Sequence, residues 1–268
     1  MLATSPRPRA AVGETPSILT KAFDLLRAFN AQQRVMTLSE LARASGLPKS
    51  TVHRLLARLI ELGAVEHHRS GYKIGMTLLE LGASTPAGYM RDLAMPHLTK
   101  LHQWTGETVL MGALRGFDVV YLEKLAQRNS PASIVSIGSR LPANCTALGK
   151  ALLAFEDIDD LTIRLRSPLP KLTPRSVASV DLLIDQLRRA RAEGVARECE
   201  EAQPGLACVA APIVVRGFAV GAVSVGFSAH HPSTMNVSGA VRTTASQIVA
   251  DLEAGLADGR ESWFPREL

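Results

Sequence analysis

The stretch TLSELARASGLPKSTVHRLLARLIEL, residues 37–62, constrains the fold of this chain more than any other. Thr37 followed three residues later by Glu40 is a capping-box signature that starts a helix. Leu38, Leu41 and Ala42 share one stripe of that helix, and Gly46, free to take positive φ, ends it in a turn predicted over 44–47. Pro48 is expected inside the first turn of the next helix, where its missing N–H costs nothing. Val52, Leu55, Leu56 and Leu59 follow at 3.6-residue spacing and are predicted core. Lys49, Ser50, Thr51, His53, Arg54 and Arg58 occupy the face that these apolar residues avoid. A thin helix with hydrogen-bond donors on one side and a packed stripe on the other is what the DNA major groove admits. Arg54 is the predicted base contact, with the others meeting phosphates or base edges.

The neighbouring sequence completes such a unit. Ile18, Ala22, Leu25, Leu26 and Phe29 form a further apolar stripe upstream, so a third helix closes the core. After Gly63, residues 65–74 alternate around Arg69-Ser70-Gly71, a turn between two short strands. His67, His68 and Arg69 lie at the tip of that hairpin, and His68 and Arg69 join the predicted DNA contacts. Residues 17–75 therefore read as a winged helix-turn-helix domain. Charge divides the chain in the same place: residues 1–75 hold 11 Lys+Arg against 5 Asp+Glu, and residues 76–268 hold 19 against 20. A basic module of this kind gains affinity for DNA by releasing counterions.

The rest of the composition narrows the class. Residues 1–16 combine Pro and Arg without an apolar run, so they are expected as a disordered arm and not as a signal peptide or anchor. The apolar runs near 206–215 and 218–227 are too short to span a bilayer as helices, and no membrane is expected. Cys145, Cys199 and Cys208 are odd in number and lack metal-ligand spacing, which predicts neither disulfides nor a metal and places the protein in the reducing cytoplasm. Adjacent His67 and His68 lack the i, i+4 spacing that aims two imidazoles at one metal.

Beyond the hairpin, residues 76–82 are predicted helical with Thr77 as cap, and STPAG at 84–88 breaks the run. The helical linker is placed at 76–90. A helix over 89–104 carries Met90, Leu93, His97, Leu98 and Leu101, with a kink at Pro96 and its end at Gly106. These helices offer a surface for dimerisation. The apolar period then drops to two: strands are predicted at 107–114, 119–125 and 134–137, helices at 147–155, 158–165 and 180–193, strands at 195–198, 206–215 and 218–227, and a last helix at 236–256. Hairpin-linked strands with grouped helices imply an α+β domain with a mostly antiparallel sheet over 91–258, followed by a tail at 259–268. No G-x-G-x-x-G, G-x-S-x-G or H-E-x-x-H pattern occurs, and Gly149-Lys150 lacks the remainder of a phosphate loop, so an enzyme is not expected. The competing readings are a metabolite-binding enzyme or sensor whose basic helical domain serves protein contacts, and a purely architectural DNA binder.

Two segments of the second domain look like site material. GSRLPANCTALGKALLA at 138–154 leads a loop into a helix start whose Thr146, Ala147 and Leu148 amides attract a carboxylate. ARECEEAQPGLACVAAPI at 196–213 sets Glu198, Glu200 and Glu201 before a buried strand, and a solvated acidic loop is the plainer account of the three acids.

Taken in order, LxELAxxxGLPKSTVHRLLxxLxExG, PxxCTALGKALLA and EExxPGLxCVAAPI resemble the isocitrate lyase regulator (IclR) family of bacterial transcription factors over about residues 17–256. The resemblance implies a GAF-like effector-binding domain and a homodimer or dimer of dimers on a palindromic double-stranded operator. It also implies control of catabolic genes by a small organic or aromatic acid, with no cofactor. Carried over by residue, the effector pocket falls on Leu141, Ala147, Leu148, Glu198, Leu206 and Cys208. Either Glu198 or Glu200 faces the ligand, and Cys208 is either a pocket residue or a small buried apolar one.

Overall fold

A computed structural model describes residues 17–29, 33–126, 135–230 and 236–257. The arm expected over 1–16, the tail over 259–268 and Ile134 lie outside the described residues. The chain divides into two compact units at Gly88/Tyr89.

In the first unit, α1 (Ile18–Leu26), β1 (Val35–Met36), α2 (Leu38–Ser45), α3 (Lys49–Glu61), β2 (Val65–His68), β3 (Gly71–Ile74) and α4 (Met76–Ala83) follow in order. The capping box at the head of α2 is complete: Thr37 Oγ1 accepts from Glu40 N, and Glu40 Oε2 accepts from Thr37 N at 2.8 Å. Gly46 takes φ 70°, a left-handed conformation that a side chain would oppose, and turns the chain toward α3. The turn is tighter than the sequence predicts, because α2 continues through Ser45. Pro48 is the N-cap of α3, outside its first turn. Val52, Leu55, Leu56 and Leu59 are buried together with Leu25, Leu41 and Val65. Ile18, predicted for the same core, is 55% exposed at the first position of α1.

The wing gains a strand that the sequence does not announce. Two-residue β1 pairs with β3, giving an antiparallel sheet of order β1-β3-β2. Thr77 does not cap α4; the N-cap is Gly75, and Glu66 from β2 accepts from Met76 N at 3.0 Å. That carboxylate also pairs with Lys73 at 2.8 Å, and the two contacts, Lys73 first, hold it below the usual carboxylate range.

The second unit begins within α5 (Pro86–Thr105), which starts three residues before the predicted 89 and continues through Pro96, the expected kink. After it come β4 (Thr108–Arg115), β5 (Asp118–Leu125), β6 (Arg140–Pro142) and a 3-10 turn at Ala143–Cys145. The chain then continues through α6 (Ala147–Leu153), α7 (Ile158–Arg164), α8 (Val180–Glu193), β7 (Ala196–Cys199), β8 (Leu206–Val215), β9 (Phe218–Ser228) and α9 (Val237–Ala257). The large sheet is antiparallel throughout in the order β6-β5-β4-β9-β8-β7. Residues 135–137, predicted as its third strand, are not a strand; β6 takes that place on the edge, where Pro142 leaves no ladder donor missing.

Both faces of the sheet are covered, which explains why β8 and β9 read as continuous apolar runs instead of alternating ones. Val109, Met111, Val209, Ala211 and Val223 point to one face, against Met90, Leu98 and Leu101 of α5 and Val241, Ile248 and Leu252 of α9. Leu110, Tyr121, Cys208, Ala210 and Ala222 point to the other, against α6 and α8. His97 Nε2 of α5 and Asp251 Oδ2 of α9 add a hydrogen bond at 2.7 Å.

Candidate functional site

The first surface with site chemistry is α3. Burying Val52, Leu55, Leu56 and Leu59 forces the intervening residues outward, so Lys49, Ser50, His53, Arg54 and Arg58 are exposed and Thr51 is half-buried. These side chains are not equivalent. Arg58 Nη1 is 2.7 Å from Glu61 Oε2 one turn on, a contact that raises its already high pKa, so part of its charge is answered within the helix. His68 and Arg69 are exposed at the wing tip, where His68 Nδ1 accepts from Ser70 N at 3.3 Å and bonds Ser70 Oγ at 3.0 Å. His68 thus fixes the shape of the turn as well as presenting its outer nitrogen. His67 packs against Tyr72 with ring centroids 5.2 Å apart.

The second feature is a small, nearly filled cavity of about 20 Å3 between α6 and the sheet. Leu141, Ala147, Leu148, Glu198, Leu206 and Cys208, predicted from two separate segments, all line it. Strand register brings two of them face to face, since Glu198 on β7 pairs directly with Cys208 on β8. Thr146, singled out in sequence at the helix start, also lines it, and Leu110, Tyr121, Val135, Ala202 and Ser224, which were not predicted, complete the wall. Tyr121 had a usable signal in the alternation of β5, whose inward positions include Val119 and Tyr121.

α6 closes the cavity by very close packing. Gly149 lies where a Cβ would stand 2.2 Å from Ala143 O, so only glycine lets the helix settle on the 3-10 turn before it. Thr146 caps the helix by accepting from Gly149 N at 2.9 Å. Pro142 and this turn place Ala147 and Leu148 at the cavity wall, each almost fully buried.

Of the three acids Glu198, Glu200 and Glu201, only Glu198 lines the cavity. It is 4% exposed; its Oε2 accepts from the backbone N–H of Glu201 at 2.9 Å and of Ala202 at 3.4 Å, while buried Oε1 has no hydrogen-bond partner. Burial raises its pKa to about 7 against the lowering pull of the Cys208 thiol and of those two amides. Glu200 faces elsewhere: it sits at φ 57°, pairs with Arg175 at 2.8 Å and accepts from Gly205 N at 2.8 Å. Glu201 turns toward α6, where Lys150 donates to its Oε1 at 2.6 Å. Lys150 is 1% exposed, and nothing in the sequence marks it as part of a buried ion pair. Burial, with Glu198 beside it, pushes the Cys208 thiol well above its ordinary range, so it stays neutral.

Both parts match known proteins. Residues 18–69 match the IclR helix-turn-helix domain, and residues 88–250 match the bacterial transcriptional regulator IclR C-terminal domain. The chain is 33% identical over 197 residues to the transcriptional regulator XynR of Escherichia coli, covering 72% of this chain and 78% of that protein. It is 30% identical over 201 residues to the Pca regulon regulatory protein of Pseudomonas putida, covering 73% and 68%. Among solved structures it is similar to an IclR homolog from Microbacterium hydrocarbonoxydans complexed with 4-hydroxybenzoate, with a TM-score of 0.81 and 26% identity over 89% of this chain and 100% of that one. The Thermotoga maritima IclR is similar with a TM-score of 0.68 and 27% identity, over 87% and 98%. Since the C-terminal match alone takes in more than half of its length and the helix-turn-helix precedes it in order, this chain is a member of the IclR family of bacterial transcriptional regulators.

Proposed function

We propose that this regulator binds a palindromic operator as a homodimer or dimer of dimers and controls catabolic genes in response to a small organic or aromatic acid held in the α6 cavity. In this reading Arg54 reads a base edge, Lys49, Ser50, Thr51, His53 and Arg58 make further base or phosphate contacts, and His68 and Arg69 lie along the backbone. Leu141, Ala147, Leu148, Glu198, Leu206 and Cys208 contact the effector. The protein acts in the cytoplasm by binding alone, without catalysis, metal or cofactor. The observation that carries the reading is a basic, exposed α3 in the same chain as a mostly apolar cavity containing a buried acid.

Support for a second copy comes from uncovered apolar side chains on the first unit. In α4 no residue is buried, and Met76, Leu79 and Leu81 are 59%, 61% and 62% exposed; Leu19 and Phe23 of α1 are exposed as well. Partner binding is the usual reason for surface of this kind.

Fluorescence anisotropy on the DNA upstream of its own gene tests the reading. Affinity should fall steeply with salt, and small carboxylic acids should change it. Arg54→Ala should cost about 1–3 kcal/mol on the specific site and little on unrelated DNA. Absence of salt-sensitive binding would favour a basic domain used for protein contacts. Binding that no acid alters would favour an architectural role.

A further inference from the structure

The cavity wall contains a polar atom that the protein leaves unanswered. Glu198 Oε1 is buried and has no hydrogen-bond partner, although Oε2 of the same carboxyl accepts two backbone N–H groups. A buried acceptor in this state is costly, and a bound molecule that donates to it removes the cost. Tyr121, Thr146, Cys208 and Ser224 carry the other polar groups of the wall. Cys208 is paired opposite Glu198 on β8, Tyr121 lines the cavity from β5, and Lys150 of α6 donates to Oε1 of Glu201 in the same loop. Leu110, Leu141, Leu148 and Leu206 supply apolar wall.

Resting on the effector reading above, we propose that the effector carries a hydroxyl group and donates it to Glu198 Oε1, which makes the ligand class hydroxylated small acids and not simple carboxylates docked head-on at this residue. A ligand carboxylate set against Glu198 brings two acids together with no donor between them unless an extra proton is shared. A hydroxyl brings its own hydrogen and no charge to desolvate. The complex then holds Glu198 ionised, so binding a hydroxylated ligand releases a proton wherever the empty protein holds Glu198 protonated.

Calorimetry on the full-length protein tests this with matched probes: 4-hydroxybenzoate against benzoate, and 3-hydroxybutyrate against butyrate. At pH 8 the hydroxylated member of at least one pair should bind about tenfold to a hundredfold more tightly, the worth of a hydrogen bond to a charged acceptor. At pH 6.5, repeating the titration in phosphate and in an amine buffer should show proton release. Proton uptake, or equal affinity within each pair, overturns the proposal, and so does 4-aminobenzoate binding more tightly than 4-hydroxybenzoate.

Glu198→Gln separates a ligand contact from a structural role. The N–H groups of Glu201 and Ala202 hold the amide oxygen at the Oε2 place, which turns the NH2 into the cavity and replaces an acceptor by a donor. The hydroxyl preference should vanish and the unhydroxylated acids should bind as well or better. An equal loss for both members of a pair overturns the proposal. If no probe of either kind binds or alters operator affinity, the small-acid reading fails with it; if both kinds bind alike, only the hydroxyl assignment fails.

Discussion

Replacing Lys150 with Met probes the ion pair that joins α6 to the acidic loop. Lys150 and Glu201 side chains are 1% and 9% exposed and meet at 2.6 Å. Methionine keeps an unbranched stem of similar length and matches lysine in helix propensity, so packing and helix formation change little. What changes is that the Glu201 carboxylate loses its counter-charge in a wall already closed to water. Removing one partner of a buried pair costs about 3–5 kcal/mol, because the remaining charge stays desolvated. In a folding unit the size of residues 89–257, each kcal/mol moves the melting temperature by about 2–4 °C, so Lys150→Met should lower it by roughly 6–20 °C. Differential scanning calorimetry on the full chain reads this, with the transitions of the two units followed separately. Adding Glu201→Leu should restore most of the loss, since well-packed apolar pairs replace buried ion pairs at little cost. A loss below about 1 kcal/mol in the single variant, or a double variant no more stable than it, would refute the argument that the pair is sealed.

Three further outcomes are expected. With Glu198 raised to about 7 by burial, stability is greatest below pH 4.5 from this group and declines as pH climbs through 7; the loss is on the order of 3 kcal/mol. Chemical denaturation of wild type and Glu198→Gln between pH 5 and 8 checks this, and parallel pH profiles would contradict it. Gly149→Ala should cost about 1–3 kcal/mol or more, because its Cβ would stand 2.2 Å from Ala143 O; a melting temperature within 2 °C of wild type would show that α6 can lift freely. Thr37→Ala removes the hydroxyl that caps α2 and should cost about 1 kcal/mol in the DNA-binding unit, read by its own melting transition.

Local signals carried the helix-turn-helix and non-local ones did not. The Thr37–Glu40 box, Gly46 and the α3 stripe act within a few residues of one another, so their consequences were legible in order. The cap on α4 comes instead from Glu66, ten residues back on the wing, and Thr77 was the only candidate that proximity suggested. β1 spans two residues and exists only because β3 accepts it. The apolar run at 134–137 resembled a strand, yet Val135 is used as cavity wall and the ladder resumes at β6. Within the candidate site, the motif residues fell on one cavity, but the roles of the three acids needed the fold. Alternation along β7 puts Ala196 and Glu198 on the buried side and Arg197 and Cys199 outside, whereas acidic residues in a row read as solvated. Lys150 was hidden for the same reason, since lysine is almost never fully buried and its partner lies 51 residues away.

The acidic loop ties Glu198 to several elements. Glu198 holds the backbone N–H groups of Glu201 and Ala202; the Glu201 side chain holds Lys150 of α6; and the carbonyls of Glu200 and Glu201 accept from Thr173 and Ser176. Glu200 keeps a left-handed backbone at φ 57°, a conformation that persists only where neighbours over-determine it, as Arg175 and Gly205 do here. On the proposed reading, a molecule that bonds Glu198 would act on a loop whose backbone and side chains are tied to α6 and the 173–176 segment. Tight binding alone would shift nothing; what matters is the difference in affinity between the DNA-competent and incompetent states. A difference of about 1–3 kcal/mol changes operator affinity some 5 to 150-fold, which is no more than the worth of one charged hydrogen bond gained in one state and missing in the other.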